Sequence, residues 1–162
     1  MRSLKTEIIS FEKETLKQSL EKMDANVSYK VKTLIYYPYL FYEFLVEPTG
    51  RINRVGKKAG CTIDGMNKVG AVADQAPEFI VKKNVDDKFV LRRNISIDEA
   101  KIIAEKFLFE SIYSRMKILK MPTLRLKHHV EFYRPYWIVK GEKERSEFYL
   151  TVDAITGKYH PL

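Results

Sequence analysis

The 162-residue chain is 45% apolar and 31% charged, with ten tyrosines and nine phenylalanines. That much buriable aromatic surface excludes a disordered chain and allows one compact domain or two small, closely packed ones. One cysteine, Cys61, excludes an intrachain disulfide, no stretch approaches the roughly 20 apolar residues of a membrane-spanning helix, and a formal charge of +8 attracts polyanions in general.

The N-terminus, Met1 to Glu7, lacks the apolar run of a secretion signal, so the expected location is cytoplasmic, without membrane insertion. A first helix is predicted from Ser10 to Asp24. Ser10 is its N-cap, Glu12 and Glu14 lie where the helix dipole favours negative charge, and Leu16, Leu20 and Met23 form a one-sided apolar stripe. Alternation then predicts a strand from Tyr29 to Tyr37, with Lys30 and Lys32 turned away from its apolar face. Pro38 interrupts it, because proline cannot donate to a ladder, and Leu40 to Val46 continue as a second strand. Pro48-Thr49-Gly50 reads as a turn, followed by a basic hairpin and a strand from Ala59 to Asp64.

Residues 65–94 are the least regular and read as a connection with little structure of its own. Helix two begins at a capping box, Ser96 to Glu99. Ala100, Ile103, Ala104, Phe107, Leu108 and Ile112 form its apolar face, which Ile102, Phe109, Tyr113 and Met116 widen. It ends before Pro122. Leu124, Leu126, His128, Val130 and Phe132 alternate with Arg125, Lys127, His129, Glu131 and Tyr133 in the next strand. Pro135 interrupts as Pro38 does. Trp137 to Val139 and then Glu147 to Val152 are the closing strands.

The chain also carries one pattern twice. Tyr36-Tyr37-Pro38-Tyr39 returns as Tyr133-Arg134-Pro135-Tyr136, Ile9-Ser10-Phe11 as Ile95-Ser96-Ile97, and the ending Ile63-Asp64-Gly65 as Val152-Asp153-Ala154. Superposing the copies aligns Lys30 with Lys127, Ile35 with Phe132 and Leu40 with Trp137. The expected fold class is α+β: two tandem helix-plus-antiparallel-sheet repeats related by pseudo-twofold symmetry. The division follows the copies: 1–72 as the first repeat, 73–94 as a linker, 95–162 as the second.

One such unit resembles the cystatin-like arrangement of a helix across an antiparallel sheet. The endings Val152 to Lys158 and Ile63 to Lys68 resemble the terminal hairpin of PepSY-type modules, in which a strand ends in Asp and a Gly turn follows. The chain also resembles prokaryotic proteins with paired Tyr-x-Pro-Tyr elements. The PepSY resemblance implies modulation of peptidases or ligand binding, and none of these resemblances implies a catalytic residue.

Few residues form a chemical constellation. His128 and His129 are neighbours on a strand and point to opposite faces, so they cannot chelate one ion. His128 falls on the apolar side as a core histidine, His129 is solvated, and no zinc-ligand spacing is present. Cys61 reads as a small buried hydrophobe rather than a nucleophile. Asp64 and Asp153 open turns, where an aspartate accepts backbone amides. Gly56, Gly60, Gly65 and Gly70 form no phosphate loop, and no metal or cofactor is expected. The expectation is a binding or interaction protein without catalytic activity, taking a protein or small ligand at the surface where the repeats meet. One alternative is nucleic-acid binding through Tyr36, Tyr39, Tyr133, Tyr136 and Trp137 with the strips containing Arg51, Arg54, Lys57, Lys58, Arg125 and Lys127. Another is a cryptic hydrolase using Cys61, Asp64 or His128.

Overall fold

The computed structural model describes residues 1–47, 57–116 and 122–162. The Pro48-Thr49-Gly50 turn, Arg51, Arg54, Lys117 and Lys120 lie outside the described residues. Among those described, the chain is α+β, with two α-helices and a large mixed sheet. The elements are β1 (Arg2–Glu7), α1 (Lys13–Met23), β2 (Ser28–Glu47), β3 (Lys57–Asp64), β4 (Gly70–Ala73), β5 (Phe79–Val85), a 3-10 turn (Asp87–Phe89), α2 (Ile97–Met116), β6 (Thr123–Lys143), β7 (Ser146–Asp153) and β8 (Tyr159–Pro161). Strand order is β4-β3-β2-β6-β1-β5, with β7 on β6 and β8 on β7.

Several expectations need correction. β1 was not expected, and its parallel pairing with β6 at Thr6 and Tyr133 makes the sheet mixed rather than antiparallel. Residues 73–94 are not unstructured: they hold β5, antiparallel to β1, and Val90 bridges to Tyr36. The two prolines do not split their strands. β2 is continuous over 20 residues and β6 over 21. Pro38 and Pro135 are fully buried; each uses its carbonyl as an acceptor, from Gly65 N at 2.9 Å and Ala154 N at 3.1 Å, and neither has an N–H to satisfy. Helix α1 starts later than Ser10 because the Ser10 and Phe11 amides both donate to the Ala154 carbonyl, at 3.0 and 2.9 Å. That holds the chain extended until Glu12, which caps with its backbone alone. At α2 the Ser96 cap is present: Glu99 N donates to Ser96 Oγ at 3.1 Å. The Glu99 carboxylate turns to Lys68 instead of closing the box.

The chain forms two compact units, each drawn from segments that are not consecutive. They follow packing and cut across the sequence-order division at 1–72, 73–94 and 95–162. The first comprises Met1–Tyr37, Glu78–Leu91 and Tyr133–Leu162. In it α1 lays Leu16 and Leu20 onto Val27, Tyr29 and Val31, Trp137 and Val139 of β6, and Leu150 and Val152 of β7. A second core in the same unit joins Leu4, Tyr36, Val85, Val90 and Tyr133.

The second unit comprises Pro38–Pro77 and Arg92–Phe132. Here α2 presents Ala100, Ala104 and Leu108 to Leu40, Tyr42 and Phe44 of β2 and to Cys61 and Ile63 of β3. Two alanines on that face let the helix approach the sheet closely. The face is narrower than its composition suggests: Ile102 and Tyr113 are exposed. The buried Tyr42 hydroxyl donates to the Ile97 carbonyl, and burial pushes its pKa up to about 12.

Because each core takes side chains from both sides of residue 91, fragments 1–91 and 92–162 are each expected to lack a near-ultraviolet circular dichroism signal alone and to recover it when mixed. A fragment that folds by itself contradicts the assembly. Phe44→Ala, at a fully buried position, is expected to cost about 3–5 kcal/mol in urea unfolding.

Candidate binding cleft

The first unit carries an open cleft of about 430 Å³ whose walls come from five elements. Helix α1 contributes its first residue, Lys13. Strand β2 contributes Lys32, Thr33, Leu34 and Tyr36. Strand β5 contributes Lys82, Asn84 and Val85, the 3-10 turn contributes Phe89 and its cap Asp86, and β6 contributes Trp137. A neighbouring cleft of about 480 Å³ shares Tyr36 and Lys82 and is lined further by Thr6, Glu7, Ile8, Ile9, Ile80 and Val81.

Local folding sets these side chains. Leu4 lies opposite Lys82 and Arg2 opposite Val85, so β5 spends one more residue than β1 between these pairs. Such a bulge re-aims the strand, and Asn84 absorbs it with a left-handed φ of 60°, a conformation asparagine tolerates well. Lys82, opposite the buried Leu4, runs its stem over apolar surface and sets Nζ 5.4 Å from the Tyr36 ring centroid. Trp137 is fixed by its indole N–H, which donates to the Phe11 carbonyl at 2.9 Å. Asp86 accepts Lys88 N at 3.1 Å and meets Lys88 Nζ at 3.8 Å, so its charge is already answered.

Three lysines and one carboxylate, Asp86, line the cleft. Among the described residues, Lys13, Lys32 and Lys82 make no ion pair with a carboxylate. The ammonium of Lys32 has its pKa lowered, chiefly by its neighbour Lys30 and then by burial and Lys140. The cleft therefore presents unmatched positive charge above three aromatic rings. Beneath the charge lies an apolar floor of Tyr36, Phe89 and Trp137.

The residues picked out in the sequence are distributed as follows. Tyr36 and Trp137 line the cleft, but both are buried rather than exposed stacking platforms, and Tyr133 is buried as well. The buried side of β2 changes along its length, from Tyr29 and Val31 in the α1 core to Tyr36 in the other core, with Leu34 packing on both. Tyr36 therefore faces inward. Tyr39 is half-buried and stacked on Phe132, with centroids 5.6 Å apart. Tyr136, also half-buried, meets Tyr37 edge-on at 6.0 Å. Lys57, Lys58, Arg125 and Lys127 are exposed in the second unit, where Arg125 pairs with Glu47 at 3.2 Å.

His128 is not a core histidine: its side chain is 51% exposed and lies 3.7 Å from Glu43. His129 is exposed, beside the Tyr42 ring. Among the described residues no group of three or more His, Cys, Asp or Glu side chains comes together as a metal site, and no helix is long and apolar enough to cross a membrane. Asp64 Oδ1 accepts the amides of Met66 and Asn67 at 2.8 and 2.9 Å. Asp153 Oδ1 accepts those of Ile155 and Thr156 at 2.8 and 3.3 Å.

Asp153 has a second task that the sequence did not disclose. Arg134 grips its Oδ2 with Nε at 2.9 Å and Nη2 at 2.8 Å, and reaches Glu7 at 3.7 Å. Burial raises the Asp153 carboxyl, but Arg134 and the turn amides outweigh it and the net pKa is lowered. Burial raises Glu7 against the pull of Arg134. Of the cleft's lining, sequence reasoning picked out only Tyr36 and Trp137; it missed all three lysines, Lys13, Lys32 and Lys82, together with Asn84 and Phe89. A lysine on a strand ordinarily reads as a solvated face, as Lys32 did, and nothing local marks it otherwise.

Comparison of the chain with protein-family models, curated proteins and solved structures gave no match.

Two outcomes follow from these environments. Cys61 is fully buried and its thiol pKa is pushed to about 11 by burial, so a thiol reagent at pH 8 is expected to leave it untouched until denaturant is added; rapid native-state labelling contradicts that burial. Asp153→Asn keeps the turn acceptor and deletes the charge. A depressed folded pKa stabilises above the ordinary carboxylate range and loses that effect as pH falls. The variant is therefore expected to be about 2 kcal/mol less stable at neutral pH, the gap closing below about pH 4. Glu7 acts oppositely, since its raised pKa favours the fold at low pH and that benefit is lost as pH rises. Chemical denaturation across pH measures both.

Proposed function

We propose that this protein is a binding protein without catalytic activity, and that its ligand is a multiply charged small anion held in the lysine-lined cleft of the first unit. The observation that carries this reading is the convergence of Lys13, Lys32 and Lys82 on one concavity without a carboxylate partner among the described residues. Other lysines, Lys57, Lys58 and Lys127 among them, also make no ion pair among the described residues; what distinguishes Lys13, Lys32 and Lys82 is that they line one concavity. Unanswered charge in a concave, partly apolar setting attracts an anion more strongly than the same charge spread over a convex surface.

We further propose that the scaffold consists of two copies of one helix–strand–hairpin pattern related by a pseudo-twofold axis. Matching backbone contacts support this. Tyr39 pairs with Asp64 as Tyr136 pairs with Asp153. Lys68 N donates to the Asp64 carbonyl at 2.9 Å and Gly157 N to the Asp153 carbonyl at 2.8 Å, and both donors have left-handed φ, 62° and 76°.

The test is calorimetric titration of the full chain with pyrophosphate and tripolyphosphate. The double variant Lys32→Ala/Lys82→Ala is expected to bind about tenfold or more weakly, the scale of one or two lost charge-assisted contacts. Lys57→Ala/Lys58→Ala, which removes the same charge from the second unit, is expected to change little. Equal losses in the two variants identify diffuse attraction by net charge and defeat the reading, as does the absence of binding at low salt.

A further inference from the structure

We infer that the anion taken by the lysine-lined cleft carries an aliphatic chain, which lies in the neighbouring cleft; the inference rests on the anion-binding reading above. The two clefts are contiguous, because Tyr36 and Lys82 line both. They differ in chemistry. The first sets Lys13, Lys32 and Lys82 against one carboxylate, Asp86. The second, of about 480 Å³, is walled by Ile8, Ile9 and Ile80.

The aliphatic surface of the second cleft is open to a ligand. Ile8 is 48% exposed and Ile80 45%, while Ile9 is half-buried against the α1 core. Strand register places this surface beside the charge. Ile80 lies opposite Thr6, and Lys82 lies opposite Leu4. Directly opposed residues share one face of a sheet. Ile80 and Lys82 therefore stand on the same face of β5, with Cα atoms about 6.5 Å apart. It is the face that carries Lys82 over Tyr36. A short anion beside the lysines leaves the isoleucines to water. An attached alkyl chain covers them, and each methylene buried there tightens binding.

The charges fix the direction in which such a ligand lies. In the second cleft Glu7 and Glu12 balance Lys82 and Lys83, so it offers an anion no surplus of positive charge. The surplus is in the first cleft. The anionic head therefore sits beside Lys13 and Lys32, and the chain runs past Lys82 toward Ile80 and Ile8. A neutral chain makes no use of the lysines, and a cationic head is repelled by them. The class of ligand is a single-chain amphiphile with a multiply charged anionic head, such as an alkyl phosphate.

The experiment is calorimetric titration of the full chain with ethyl, butyl, hexyl and octyl phosphate below their micelle concentrations, and with octyltrimethylammonium. Affinity is expected to rise about two- to fourfold per added methylene, with octyltrimethylammonium undetectable. Ile8→Ser/Ile80→Thr, confirmed as folded by circular dichroism, is expected to bring the octyl-to-ethyl affinity ratio close to one. Equal binding of ethyl and octyl phosphate overturns the chain inference and leaves the anion reading standing. An unchanged ratio in the double variant overturns the placement of the chain in the second cleft. Octyltrimethylammonium binding as tightly as octyl phosphate identifies unspecific apolar adsorption and overturns the inference. So does sedimentation with phosphatidic acid vesicles without binding of monomeric octyl phosphate, which assigns the isoleucines to a membrane surface. A free chain that sediments as a dimer, and becomes monomeric in Ile8→Ser/Ile80→Thr, assigns them to a second copy and overturns it as well. If neither pyrophosphate nor any alkyl phosphate binds, the anion reading fails, and this inference fails with it.

Discussion

Two strands of about twenty residues constrain everything else in this protein. β2 places Tyr29 and Val31 in the α1 core and Leu40, Tyr42 and Phe44 in the α2 core. β6 places Trp137 and Val139 in the first, while Leu124 and Leu126 pack against the second. Each strand survives a proline in its middle because the ring demands no hydrogen bond and its carbonyl still accepts one. Were the strands broken there, as the prolines alone suggest, each core would have to be completed by its own stretch of sequence. They are not, and so neither helix packs only on the segment that follows it.

The cleft depends on that arrangement. Its lysines come from α1, β2 and β5, and its aromatic floor from β2, the 3-10 turn and β6. Residues separated by more than a hundred positions face one concavity, and each is held by a different device. Lys82 is held by strand register and a bulge, Trp137 by a hydrogen bond to the chain entering α1, and Phe89 by the 3-10 turn that Asp86 caps. Near this cleft Arg134 binds Asp153 and Glu7. That network ties β1, β6 and the turn after β7 together.

What was legible in the sequence is what local chemistry decides. Ser96 reads as a helix cap and acts as one, because its oxygen needs only an amide three residues on. The apolar spacing of Leu16 and Leu20, and of Ala100, Ala104 and Leu108, located both helices and their inner faces. Ser10 carries the same local signal as Ser96 and does not cap, because Ala154, 144 positions away, takes its amide. β1 and β5 were missed for a related reason: each is short, six and seven residues, and its partners lie far along the chain, so no local periodicity marks it. Tyr36 and Trp137 were picked out from a repeated motif, and they do line the cleft. Their role there is as a buried floor, since the inner face of β2 shifts from odd to even positions, a change that depends on two cores lying along one strand.

The order in which the chain leaves the ribosome does not match the order in which its parts find partners. Leu16, Leu20, Tyr29 and Val31 emerge early, yet the surface they cover includes Trp137, Val139, Leu150 and Val152. At translation speeds of about 5–20 residues per second, those apolar side chains wait on the order of 6–25 s for their counterparts. During that interval the nascent segment holds an amphipathic helix and a half-covered strand with nothing of its own to close upon. A cell making this protein must shield it through that wait, and the burden falls on the N-terminal third, however stable the finished molecule proves.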